Sequence, residues 1–412
     1  MGITINGSSA AGNIDLGTNG TITDLAVGGL PDGVIDEDSL ASNAVTSGKI
    51  ASGATSDTLS FRRLNINGDM TIAQRGTSYN ITGSGSSQND TRVIDRLFNY
   101  NRSDANWTYS QESDGPPGFA KCFKALCTSA DSSVAANVYE MHSYDWEGQD
   151  LQHLKKGTSD AESLTISFWV KSNKTGTYIF EAHDLDNNRQ ISKSYTISAS
   201  ATWEKKTITI PGDTTGALDN DNAASFKIYW WLTGGSDKTG GTLNTSWGSI
   251  TQANRAAGQV QLSDTANNYW QITGIQVEVG TTATEFEHRT YTDELQRCLR
   301  YYYRHAGETE NSGSDAGICN CSYYSSSVAY GIIQLPVKMR VQPSLDQGNS
   351  QTNAFRIWRN GGSENFQTFA ISTASWNWLV RVGNSSMSGT AGHSGYMETE
   401  HSSAYLAFDA EL

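Results

Sequence analysis

Apolar side chains at every second position, in one short run after another, constrain this chain more than any other feature. In residues 163–170, Leu164, Ile166, Phe168 and Val170 fall on one side. Residues 226–232 repeat the pattern with Phe226, Ile228, Trp230 and Leu232, and stop at Gly234-Gly235. Lys206 to Ile210 stops at Pro211-Gly212, and residues 269–279 read as a late strand with Gly274 as a possible bulge. A period of two is the period of a strand, and many short strands between turn signals pair antiparallel into a sandwich. The pattern therefore predicts an all-β chain with a jelly-roll-like β-sandwich over residues 63–291. A second β domain is expected over 306–412, ending with Leu406, Phe408, Ala410 and Leu412 on one strand face.

Between the two lies one helix signal. Thr292 can cap a helix in which Asp293 and Glu294 open the first turn, with Arg304 and His305 near the last. Leu295, Cys298, Leu299 and Tyr302 follow the i, i+3, i+4, i+7 spacing of one helical face. A linking helix is predicted over residues 292–305.

Residues 1–62 are different. They contain no Trp or Tyr, and Ile35, Leu40, Val45 and Ile50 recur at a five-residue step. Five residues turn an α-helix by about 500°, so such positions spiral around its surface. On a strand an odd step flips each side chain to the opposite face. The step suits several chains wound together, each giving one aliphatic residue per repeat to a shared axis. These four residues are thus candidates for a homotrimer interface in an N-terminal attachment and shaft segment. A flexible low-complexity linker is the other reading of the same stretch.

Charge and composition exclude some functions. The net charge is −14, and no basic cluster exceeds Lys205-Lys206 or Arg62-Arg63. A nucleic-acid partner, which needs a cationic stripe, is not expected. No run of about 18 apolar residues offers a membrane helix, and the N-terminus lacks a secretory signal pattern. The composition still suits a surface-exposed protein, and a virion component assembled in a host cytoplasm reconciles the two. The odd number of cysteines, five, argues against a disulfide framework.

Several segments resemble tail-fibre proteins of marine tailed phages that carry a carbohydrate-binding-module-like jelly roll. The opening Ile3-Thr4-Ile5-Asn6-Gly7 and residues 22–33 resemble their N-terminus. Residues 66–76, from Ile66-Asn67-Gly68-Asp69 to Arg75-Gly76, resemble the start of the jelly roll. Gln276-Val277-Glu278-Val279-Gly280, Phe286-Glu287-His288-Arg289 and Arg300-Tyr301-Tyr302 resemble its end, with Glu285 where the family often has proline. Val337-Lys338-Met339-Arg340 and Ala410-Glu411-Leu412 are similar to the closing domain. The resemblance implies a trimeric virion fibre docked through its N-terminus to other tail proteins, host recognition, and no catalytic set to carry over.

The residues themselves give little catalytic chemistry. Gly392-His393-Ser394-Gly395 has the wrong glycine spacing for a nucleophile elbow. Carboxylate pairs such as Asp184/Asp186 and Glu285/Glu287 are what chance supplies among 43 acids. Cys319-Asn320-Cys321 lacks the usual zinc-knuckle spacing. Asp184, Asp186 and Asn188 lie in an acidic turn that suits calcium, with a solvated hairpin tip as the alternative. No cofactor is expected. Aromatic residues carry the functional expectation, since sugars stack on flat rings while nearby amides meet their hydroxyls. Trp358, Asn360, Trp376, Asn377, Trp378 and Asn384 are the candidates for receptor or glycan contact. Trp169, Tyr229 and Trp231, facing away from their strands' aliphatic sides, are candidates for the trimer interface, with sugar binding as the alternative. The expected role is a non-enzymatic tail fibre that adsorbs to a host-surface glycan. The alternatives are a structural fibre or decoration protein without receptor contact, and a glycan-depolymerising spike.

Overall fold

The computed structural model describes residues 62–83, 91–307, 315–348, 352–375 and 378–412. The trimer-interface candidates Ile35, Leu40, Val45 and Ile50 lie outside the described residues, as do Trp376 and Asn377.

The chain is all-β, as the alternation predicts. The first twelve strands are β1 (Ser78–Ile81), β2 (Leu97–Arg102), β3 (Asn106–Glu112), β4 (Cys122–Ser129), β5 (Tyr139–Glu147) and β6 (Leu164–Ser172), then β7 (Gly176–Asp184), β8 (Arg189–Ile197), β9 (Glu204–Ile210), β10 (Ala224–Gly234), β11 (Gly248–Ser249) and β12 (Tyr269–Val279). They form two six-stranded sheets, ordered β1-β3-β4-β12-β6-β9 and β11-β8-β7-β10-β5-β2. Every pairing is antiparallel, so each strand can bury one face and wet the other. Leu164, Ile166, Phe168 and Val170 of β6 and Phe226, Ile228, Trp230 and Leu232 of β10 all point between the sheets. Phe168 and Phe180 meet the Trp230 ring edge-on at 5.7 and 5.8 Å. Each such side chain removed from water stabilises the fold by roughly 1.5–3 kcal/mol.

The outer face of the second sheet is partly covered by its own chain. Residues 235–262 fold back over it, and Met141, Ile179, Tyr229, Trp231 and Ala256 form a separate small core there.

The helix is shorter than predicted and starts earlier. It spans Tyr291–Leu299, and the Thr290 hydroxyl, not that of Thr292, accepts the Asp293 backbone N–H at 3.2 Å. Tyr302, Arg304 and His305 are not helical. They belong to β13 (Tyr302–Gly307), because the last strand of the chain offers this stretch a hydrogen-bonded ladder.

The remaining strands are β14 (Gly317–Tyr323), β15 (Ala329–Gln334), β16 (Ser344–Gly348), β17 (Phe355–Arg359) and β18 (Gly362–Phe366), followed by β19 (Ala370–Ser375), β20 (Leu379–Asn384), β21 (Ser394–Thr399) and β22 (Tyr405–Asp409). A three-stranded sheet, β13-β22-β16, and a seven-stranded sheet, β18-β17-β21-β14-β15-β20-β19, enclose a second core. Leu406, Phe408 and Ala410 are buried in that core, as their alternation predicts. Charged contacts join this part to the sandwich. Arg300 forms two bonds to the Glu147 carboxylate, at 2.7 and 2.6 Å, and Arg340 donates to the Asn222 carbonyl at 2.8 Å while its own carbonyl accepts the Asn222 side-chain amide at 2.7 Å.

Candidate functional site

On the outer face of the first sheet, β6 and β12 lie side by side with Trp169 opposite Thr273. Lys205 of β9 adjoins Trp169 from the other side. Just past Thr273 the register slips before pairing resumes at Gln276 with Ser167. Gly274 is the bulge residue foreseen from the sequence, with φ +63°, a conformation that glycine adopts at little cost. A side chain there would also collide. A Cβ on Gly274 would stand 2.7 Å from the Phe119 ring and 3.1 Å from Cδ1 of Trp169.

The missing Cβ lets two more segments close over the strands. Phe119 arrives on the loop after β3, where its N–H donates to the Pro116 carbonyl at 2.9 Å. Phe286 and His288 arrive on the extended chain after β12. Their rings form a cluster: Phe119 to Phe286 4.9 Å, Phe119 to His288 5.3 Å, Phe286 to His288 4.8 Å between centroids. The Arg63 guanidinium lies 4.8 Å over the Phe286 ring and supports it from behind. Together with Trp169 these rings line a pocket of about 310 Å³, and Ser167, Lys205 and Glu285 supply its polar groups.

Flat rings beside a hydroxyl, an ammonium and a carboxylate suit a sugar, whose C–H face stacks while its hydroxyls find partners. Glu285 is the one carboxylate among the lining residues. Glycoside hydrolysis needs two, about 5–9.5 Å apart.

No protein-family model and no curated protein sequence matches the chain. Among solved structures it is similar to the enzymatically active domain of tailspike protein 4 of bacteriophage CBA120. That alignment has 12% identity, covers 53% of this chain and 21% of that one, and has a TM-score of 0.28. It is also similar to the family 11 carbohydrate-binding module of a cellulosomal cellulase of Clostridium thermocellum, at 12% identity, 54% and 96% coverage and TM-score 0.26. A third is the CBM22-1 xylan-binding domain of Paenibacillus barcinonensis Xyn10C, at 12% identity, 50% and 95% coverage and TM-score 0.24.

The other candidate residues are scattered. Tyr229 and Trp231 do not form an outward surface: the segment over their sheet buries both, and Trp231 donates its indole N–H to Glu181 at 2.8 Å. A long connection after β10, rich in Gly, Asn and Thr, gave no sign in the sequence that it returns to cover them. Trp358 sits on β17 with its indole N–H donated to Glu398 at 2.6 Å and its ring near-parallel to Tyr396, 6.5 Å away. Asn360 takes φ +47° in the exposed turn that follows. Trp378 is exposed at the start of β20, and Asn384 spends its amide on the Thr368 carbonyl at 2.7 Å.

The acidic turn proposed for calcium is internally neutralised. Asp184 is buried and pairs with the Lys156 ammonium, which also meets Asp213 at 3.1 Å and the carbonyls of Thr215 and Gly216 at 3.0 and 2.8 Å. Asp186 accepts the Asp219 N–H at 2.8 Å, and Asn188, at φ +52°, turns the chain into β8. Of the pocket's rings, sequence reasoning singled out Trp169 alone. Phe119, Phe286 and His288 were missed because they lie on loops, where no periodicity marks a side chain's direction.

Proposed function

We propose that this chain is a homotrimeric fibre of a tailed-phage virion that holds a host-surface glycan in the Trp169 pocket and does not cleave it. The observation that carries the reading is the aromatic pocket itself: Trp169, Phe119, Phe286 and His288 around Ser167, Lys205 and Glu285. A single lining carboxylate favours binding over hydrolysis. The N-terminal pentad and the resemblance to tail fibres support the virion assignment, with residues 1–62 docking to other tail proteins. Three copies would raise avidity for individually weak glycan contacts.

The test is binding of host-surface polysaccharide by the native full chain, with Trp169→Ala alongside. Wild type is expected to bind without releasing reducing ends, and the variant to bind at least about tenfold more weakly. Absence of wild-type binding, together with unchanged phage adsorption in competition, would remove the glycan reading. It would favour a purely structural fibre.

A further inference from the structure

Residues 71–77, the helix Tyr291–Leu299 and β13 line a second pocket of about 440 Å³, which shares no residue with the Trp169 pocket. Arg304 of β13 lies in its wall, with Gln74, Thr77 and Gln111 on the sandwich side. Tyr291, 64% exposed in the first turn of the helix, stands in the wall as well.

Gln74 holds the Arg304 guanidinium at one end. Its carbonyl accepts from Nη1 at 3.2 Å, and its Oε1 accepts the Arg304 backbone N–H at 3.3 Å. The guanidinium lies 4.3 Å over the Tyr405 ring. One edge of the fork is left. Nε and Nη2 are buried there, and neither has a hydrogen-bond partner. These two N–H groups point side by side, the geometry that grips both oxygens of a carboxylate. Two other arginines of the chain fill that edge in this way. Arg189 gives Nε and Nη2 to Asp213 at 2.7 and 3.0 Å, and Arg300 gives them to Glu147 at 2.7 and 2.6 Å. Among the described residues, Arg304 is the one arginine with both atoms buried and unpartnered.

Its own sheet does not supply the anion. The strands β13, β22 and β16 carry two carboxylates, Asp346 and Asp409. Asp346 accepts the hydroxyls of Tyr302 and Tyr405 at 2.9 and 2.8 Å, and Asp409 pairs with Arg75 at 3.0 Å. A guanidinium stays charged in a protein, and leaving its buried donors unmade is unfavourable. The empty edge therefore favours an anion with two coplanar oxygens.

We infer that this pocket binds an acidic sugar, a uronic acid residue whose carboxylate sits on the Nε and Nη2 edge of Arg304. The rest of the wall gives the sugar class. Tyr291 offers an exposed flat ring, Leu295 and Leu299 an apolar surface for C–H groups, and Thr77 and Gln111 partners for hydroxyls. The inference takes its glycan class from the reading above and adds a second site to it.

The test is a saturation-transfer NMR titration of the full chain carrying Trp169→Ala, which disables the first pocket, with glucuronate, glucose and acetate as probes. Glucuronate is expected to bind at least about tenfold more tightly than glucose, which lacks the carboxylate, and than acetate, which lacks the ring. Adding Arg304→Gln should abolish the preference over glucose, with the circular dichroism spectrum unchanged. Adding Tyr291→Ala instead, at an exposed position, should weaken glucuronate binding at least about threefold. Glucuronate that binds no better than glucose, or equally well after Arg304→Gln, would overturn the inference. Acetate binding as tightly as glucuronate would overturn the sugar class. Should Arg304→Gln fail to fold, unchanged glucuronate affinity in the Tyr291→Ala chain would overturn the site. Any of these failures leaves the Trp169 pocket standing, because host-polysaccharide binding by the wild-type chain tests that pocket separately.

Discussion

Arg96 and Glu411 form an ion pair in which both side chains are buried, and through it the end of the chain is fixed to the sandwich. Arg75 and Arg92 approach the same carboxylate at 3.5 and 3.9 Å, and Arg96 also stacks over the Tyr301 ring at 3.5 Å. Burial alone would raise the Glu411 pKa, but the three guanidinium groups outweigh it and hold it down at about 2.

This arrangement has a pH signature. A carboxylate whose folded pKa is depressed contributes stability above its unfolded pKa, near 4.5, and loses it as pH falls toward about 2. Glu411→Gln leaves the buried Arg96 without its anion and Arg75 with Asp409 at 3.0 Å, and should destabilise the protein by about 3 kcal/mol at pH 7. Urea unfolding of both proteins across this range should show the gap shrinking as the medium is acidified. A gap that stays constant down to the acid limit would mean the carboxylate is not the linked group.

Lys156 pairs with Asp184, one of the three residues of the turn that the sequence offered as a calcium candidate beside a solvated hairpin tip. Its ammonium touches two carboxylates and two carbonyls, an oxygen set resembling that of a hard cation. At Asp213 burial raises the carboxyl pKa, but bonds from Arg189 and Lys156 more than offset this and lower it. Lys156→Ala strands the buried Asp184 and should cost about 3–5 kcal/mol, read by chemical denaturation. Calcium or EDTA should leave the melting temperature of the native chain unmoved, while calcium should raise that of Lys156→Ala.

Thr290 provides a smaller, local check. Its hydroxyl accepts the Asp293 N–H, and Thr290→Ala should lower stability by about 1 kcal/mol. Thr292→Ala, at an exposed site within the first turn, should change stability by less than about 0.5 kcal/mol. Melting curves of the two variants separate the assignments directly.

The helix illustrates what was legible in the sequence and what was not. Its apolar face was readable, because Cys298 and Leu299 obey the helical period and are buried. Its end was not, since Tyr302 pairs with Asp409 across a sequence separation that no local pattern encodes. The same divide runs through the sandwich. Leu164 to Val170 declared their inward face by alternation, and Gly274 declared its bulge. Trp231 alternates just as clearly, yet its outward face is buried by residues 235–262. The pocket's rings come from three segments in different parts of the chain, and of these rings only Trp169 lies on a strand whose faces alternation assigns.

Gly274 and Trp169 together allow the pocket to be tested without confusing folding with recognition. Gly274→Ala forces a side chain into φ +63° and into contact with the Phe119 ring and Trp169. The strain and the overpacking together should cost about 2–3 kcal/mol. If the protein remains folded, Phe119 must move, and glycan affinity should fall with stability. Trp169→Ala removes a partly buried ring and should lower stability by about 1–2 kcal/mol while weakening glycan binding at least about tenfold. Isothermal titration with the host polysaccharide, alongside thermal melts, distinguishes the two effects. A Trp169→Ala protein that binds as tightly as wild type would mean the pocket is not the recognition site, whatever its stability.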